Sequence, residues 1–99
     1  MIITTIKIQC RSEKRKEILL TLKGLTKQMI TDGNCVKADL YRDVFDRDAF
    51  YFVRECRTKS DLEKCKTSKS LAVLFGLETH LTEPLEINHA FQIGSCSSK

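Results

Sequence analysis

No stretch of this 99-residue chain is apolar for the roughly 18 residues that a membrane-spanning helix requires. The opening MIITTIKIQC lacks a basic n-region, a long apolar segment and a small-residue cleavage site. A secretory signal is therefore not expected, and a cytoplasmic location is. With only four glycines and one proline, the chain carries no internal linker, and it has no low-complexity segment or sequence repeat. The glycine-rich loop that cradles phosphate and the paired-cysteine metal loop of other small α+β proteins are both missing. The net charge of +4 is mild and falls short of the concentrated basicity that argues for nucleic acid. What remains is 41% apolar and 30% charged, the composition of a single small globular domain. A domain this short buries only about two thirds of its unfolded surface, so a partner copy is a reasonable expectation.

Five cysteines are present: Cys10, Cys35, Cys56, Cys65 and Cys96. The number is odd and no pair is spaced C-x-x-C. Secreted disulfide frameworks favour even counts at close spacings, and structural zinc usually announces itself by close cysteine pairs. Neither pattern appears, so no metal is assigned. The cysteines read as reduced thiols, several of them small buried hydrophobes.

Residues 2–10 alternate with period two and are rich in β-branched side chains, which predicts a strand. Over residues 13–30 the period changes. Ile18, Leu22, Leu25 and Met29 form one stripe, so this is an amphipathic helix. Ser12 is a candidate cap, and Thr31-Asp32-Gly33-Asn34 closes the helix, with Gly33 able to take a left-handed conformation. Strands are predicted over 35–44 and 48–57, joined by a polar turn at Asp46-Arg47-Asp48. In the later strand Phe50, Phe52, Arg54 and Cys56 share one face, and Tyr51, Val53 and Glu55 the other. Ser60 to Glu63 fits a capping box opening a second helical region that runs to about His80, with a break near 66–70. Glu83-Pro84 ends it, and residues 85–93 alternate again.

The order is βαββαβ, the α+β ferredoxin-like pattern: four antiparallel strands in one sheet with the helices on one face. The uncovered sheet face must carry Ile3, Tyr51 and Val53 or their opposite-face partners. An open apolar face of this kind is an association site, so a homodimer through the sheet is expected. The domain spans residues 1–93, with 94–99 as a flexible tail.

Several phrases in this order resemble the antibiotic biosynthesis monooxygenase-like family of the dimeric α/β-barrel group. They are Asp32-Gly33-Asn34-Cys35-Val36 after the first helix, Asp39-Leu40-Tyr41-Arg42-Asp43, the run Phe50 to Thr58, Asp61-Leu62 with Cys65, and Glu83-Pro84-Leu85-Glu86-Ile87. The resemblance covers residues 1 to about 93. It implies a dimeric α/β barrel and cofactor-independent oxidation of a small aromatic or quinol-like compound by O₂, with no metal or flavin. It also implies a ligand cleft between sheet and helices, lined by Ala38, Phe52, Cys56, Cys65, Leu71 and Phe75. The sequence departs from the family at three of these positions. Cys56 stands where a Trp is common, Cys65 where a His is common, and Ala38 where an aromatic is frequent. A haem-degrading role is disfavoured, because the Asn, Trp and His set it needs has no match.

In such chemistry an electron-rich phenolate reduces O₂ itself, while the protein supplies a dry pocket, a base and orientation. The polar candidates are Glu55 and His89, with His80 and Tyr51 behind them. Against each stands a plainer role. His89 is a satisfied structural histidine among apolar neighbours, His80 meets a helix end, and Glu55 pairs with a nearby arginine. Arg57, Lys64 and Lys66 adjoin Cys56 and Cys65 in sequence, but thiol activation needs a spatial grouping that sequence does not supply. The alternative function is a non-catalytic dimeric module that binds a small ligand. RNA binding is not expected, because the first strand lacks an aromatic and the third lacks the RNA-recognition phrase.

Overall fold

The computed structural model describes residues 1–33, 35–66, 69–94 and 96, with side chains at all of these except 66 and 69–71. Four strands form one sheet: β1 (Ile2–Gln9), β2 (Lys37–Arg42), β3 (Ala49–Cys56) and β4 (Glu86–Phe91). Their spatial order is β2-β3-β1-β4, and every neighbouring pair is antiparallel. The helices are α1 (Arg15–Thr31), α2 (Lys59–Lys66) and α3 (Lys69–Gly76), the last running into a short 3-10 turn at Leu77–His80. This is the ferredoxin-like α+β order read from the sequence. Residues 67 and 68, within the break expected near 66–70, lie outside the described residues.

The core follows from the two periods. Ile6 and Ile8 of β1, Phe50 and Phe52 of β3, and Ile18, Leu22, Leu25 and Met29 of α1 form one buried cluster, joined by Leu74 of α3. Each fully buried side chain of this size contributes about 1.5–3 kcal/mol relative to exposure. The opposite sheet face carries Ile3, Tyr51 and Val53, each half-buried within a single chain. No helix among the described residues is long and apolar enough to cross a membrane.

Two capping expectations are corrected. Ser12 makes no cap bond; its hydroxyl donates instead to the Asp48 carboxylate, tying the chain before α1 to the β2–β3 loop. At α2 the cap is Thr58 rather than Ser60, since Thr58 Oγ1 accepts from the Asp61 amide at 3.1 Å. A hydroxyl caps when its backbone is still extended, and Ser60 already lies within α2. The exit of α1 is as expected. Gly33 adopts φ 77°, a conformation that favours glycine, while Asn34 lies outside the described residues. β2 is shorter than the predicted 35–44; past Arg42 the Asp43 amide still donates to the Ala49 carbonyl, while its carboxylate accepts from the Phe45 and Asp46 amides and turns the chain. Of the proposed tail 94–99, residues 95 and 97–99 lie outside the described residues.

Candidate functional site

Strand register lines up one row of side chains on the helix-facing side of the sheet. Ala38 of β2 lies opposite Arg54 of β3, Arg54 opposite Thr4 of β1, and Thr4 opposite His89 of β4. Above and below this row the sheet is apolar: Leu40, Phe52, Ile6 and Ile87 on one side, and Cys56, Ile2 and Phe91 on the other. Thr4 and Arg54 are the buried polar side chains of the described chain, at 0% and 1% exposure.

Thr4 is satisfied. Its hydroxyl lies 2.8 Å from His89 Nδ1, donating to that nitrogen or accepting from it according to the tautomer. Arg54 is not. Its Nε and Nη1 are buried and have no hydrogen-bond partner, and no described carboxylate forms an ion pair with it. Buried guanidinium nitrogens without partners are rare in folded proteins and costly, at about 1–3 kcal/mol each or more when charged.

His89 also lines an open cavity of about 300 Å³ between β4, the start of β1 and α2. Its other walls are Ile2, Lys59, Leu62, Glu63, Ala90 and Phe91, and the Lys59 ammonium sits 5.4 Å from the Phe91 ring centre. The walls are mostly apolar with a few polar groups, the usual make-up of a small-molecule site. Of the row, His89 lines this cavity, while Thr4 and Arg54 lie on the next two strands inward.

The sequence-predicted residues scatter around this arrangement. His89 is at its centre. Glu55 is on the opposite sheet face, across from Ile3 and Lys37, so the two candidate catalytic groups do not meet. Period two dictates this, because Glu55 follows the inward-facing Arg54. Ala38 ends the polar row, and Phe52 is wholly buried beneath it. Phe75 points outward at 45% exposure, its neighbour Leu74 taking the buried position on α3. The side chain of Leu71 lies outside the described residues. Cys56 and Cys65 are buried and sit together, joined by a third cysteine, Cys35. Burial pushes the Cys35 and Cys56 thiols up, and the Cys65 sulfur reinforces both shifts; at Cys56 the hydrogen bond with Cys35 and the Arg54 charge work against it.

Sequence reasoning missed two features. Arg54 was placed on the apolar face by its alternation with Phe50, Phe52 and Cys56, and a lone charge on such a face is the signal that marks it. Cys35 carried no signal, since its two sulfur neighbours come from different elements.

No family profile and no curated protein sequence matches the chain. Solved structures do. An antibiotic biosynthesis monooxygenase superimposes with a TM-score of 0.85 at 17% identity, covering 95% of this chain and 100% of that one. Rv0793 from Mycobacterium tuberculosis gives 0.86 at 16% identity, covering 97% and 98%. A conserved protein from Methanosarcina mazei Go1 gives 0.82 at 21% identity, covering 90% and 89%. The chain shares the complete fold of these proteins.

Proposed function

We propose that the protein is a monooxygenase-like enzyme that takes a small aromatic compound with an acidic hydroxyl, a phenol or quinol, into the cavity between β4 and α2. The buried Arg54 Nε and Nη1, which have no hydrogen-bond partner, carry this reading. A phenolate oxygen is the kind of partner these nitrogens lack, and a positive charge in a dry site favours the ionised phenol. His89 accepts the hydroxyl proton, with Thr4 holding the ring in place. The phenolate then reduces O₂ directly. With a phenol, a carbon–oxygen bond forms at the ring carbon para to the hydroxyl, and loss of the ring hydrogen with one oxygen atom leaves a quinone and water. A quinol, whose para carbon already bears oxygen, reacts at a free ring carbon and leaves the hydroxyquinone and water. Phenol plus O₂ thus gives quinone plus water, with no resident cofactor.

The working unit is a homodimer. Ile3, Tyr51 and Val53 on the open sheet face supply its centre, and Val44 and Phe45, at 89% and 97% exposure in one chain, supply its margin. Cys56, in place of the bulkier Trp of the resembled family, favours a second reading in which the site binds its ligand without oxidising it.

Oxygen uptake across a panel of naphthols and hydroquinols decides between the readings. The expected result is uptake with at least one compound, lost in Arg54→Met and His89→Ala. Tight binding with no uptake leaves the binding module; neither binding nor uptake overturns both. Sedimentation showing a stable 11 kDa species at micromolar concentration would exclude the dimer.

A further inference from the structure

Three cysteines from three separate elements converge in the interior. Cys35 comes from the loop before β2, Cys56 from the end of β3, and Cys65 from α2. Their sulfurs are 3.5 Å (35–65), 3.9 Å (35–56) and 4.0 Å (56–65) apart, and all three residues are buried. This near-equilateral triangle matters more than the count. A point in its plane lies about 2.2 Å from each sulfur, against a zinc–thiolate bond of about 2.3 Å. Two cysteines poised for a disulfide would leave the third at a distance, whereas here every edge is nearly the same length. Apolar packing alone gives no reason for three thiols to face one point.

We propose that Cys35, Cys56 and Cys65 form a trithiolate site for a thiophilic d¹⁰ metal ion, Zn(II) in the first instance. Among the described residues no His, Asp or Glu ligand atom joins the group, so the fourth position of a tetrahedral ion is left to water or a small thiol. Soft sulfur donors select Zn(II) and Cu(I) over the hard cations Mg²⁺ and Ca²⁺. Charge favours the divalent ion. Three thiolates and Zn(II) sum to minus one, against minus two with Cu(I), so the divalent ion leaves less charge to bury. The ion would tie the loop after α1, the end of β3 and α2 together. The site stands apart from the proposed oxidation, because it is read with no organic ligand present.

The test uses the full-length protein, purified reduced and stripped of metal by chelation. Zn(II) is titrated against a chromophoric chelator, and Co(II) serves as a spectroscopic stand-in. The expected result is one equivalent per chain with a thiolate-to-cobalt charge-transfer band. Affinity falls about 100-fold or more in Cys35→Ser and Cys65→Ser, since losing a ligand exceeds the 10–100-fold cost of losing a ligand's own support. Cys10→Ser and Cys96→Ser bind as the wild type does, and Cys65→His, which keeps a donor, restores binding. Should the serine variants fail to fold, X-ray absorption on the zinc-loaded wild type decides. A shell of three sulfurs at about 2.3 Å sustains the site, and a shell of oxygen and nitrogen alone overturns it. It is equally overturned by a folded, reduced wild type that gives no charge-transfer band, by a disulfide that forms in place of metal binding, or by a band that survives Cys35→Ser.

Discussion

The two ends of the interior are built on opposite rules. Beneath α1, Ile6, Ile8, Ile18, Leu22, Phe50 and Phe52 pack with nothing polar among them. Toward α2 and β4 the same sheet face turns to Arg54, Thr4 and His89, with three thiols beside them. The first region maximises apolar burial. The second keeps two guanidinium nitrogens buried without a hydrogen-bond partner. The contrast teaches that the fold is secured at one end so that an unstable arrangement can be held at the other.

The largest effect expected from this contrast is at the apolar end. Leu22→Ala removes a side chain of 0% exposure and leaves a cavity, so it should destabilise by about 3–5 kcal/mol in urea unfolding. A loss under about 1 kcal/mol would mean that this end is not the anchor. Arg54→Met is the converse substitution. It replaces an unpartnered buried cation with an apolar chain of similar length, and it should raise stability by about 1–3 kcal/mol while abolishing phenol binding. Destabilisation as large as that of Leu22→Ala would show Arg54 to be a structural keystone and erase the distinction between the two ends.

A smaller effect is expected at Thr4. Thr4→Val keeps the shape and loses the bond to His89, so stability should fall by about 0.5–1.5 kcal/mol. Turnover should fall more than ligand affinity, because the imidazole is freed to rotate while Arg54 still holds the ligand. Equal losses in both would make Thr4 a packing residue only.

The apolar end was legible in the sequence and the other end only partly so, for a physical reason. Ile18, Leu22, Leu25 and Met29 announce their helix by a local period, and Ile6, Ile8, Phe50 and Phe52 announce their strands in the same way. The βαββαβ order followed from these periods. The site depends on pairings between distant segments. Alternation put Arg54 on one face with Phe50, Phe52 and Cys56, but which face turns inward, and whether a carboxylate would meet it there, were tertiary questions. Cys35, Cys56 and Cys65 belong to a loop, a strand and a helix, and no local spacing joins them. The capping box at Ser60 pointed two residues past the actual cap, Thr58, because the choice turns on local backbone conformation, below what residue pattern resolves.

The smallest effect compares two arginines. Arg15 does what Arg54 does not: its Nη1 donates to Asp48 Oδ1 at 2.9 Å, at the surface beside α1. The Ser12 hydroxyl and then this guanidinium hold the Asp48 carboxyl below the usual carboxylate range. A depressed folded value fixes the sign. The stabilisation is complete above the unfolded carboxylate value, about 3.9, and is lost as pH falls through the folded one. Asp43, held down by the Phe45 amide and the Tyr51 hydroxyl, follows the same course. Wild type should therefore be more stable than Asp48→Asn at neutral pH, and their urea midpoints should converge as the solution is acidified below about pH 4. Arg54→Met should keep the acid limb of the wild type, because the Arg15–Asp48 pair is untouched. A gap between wild type and Asp48→Asn that stays constant with pH would mean that Asp48 contributes through packing, and that the paired arginine stabilises no more by charge than the unpaired one.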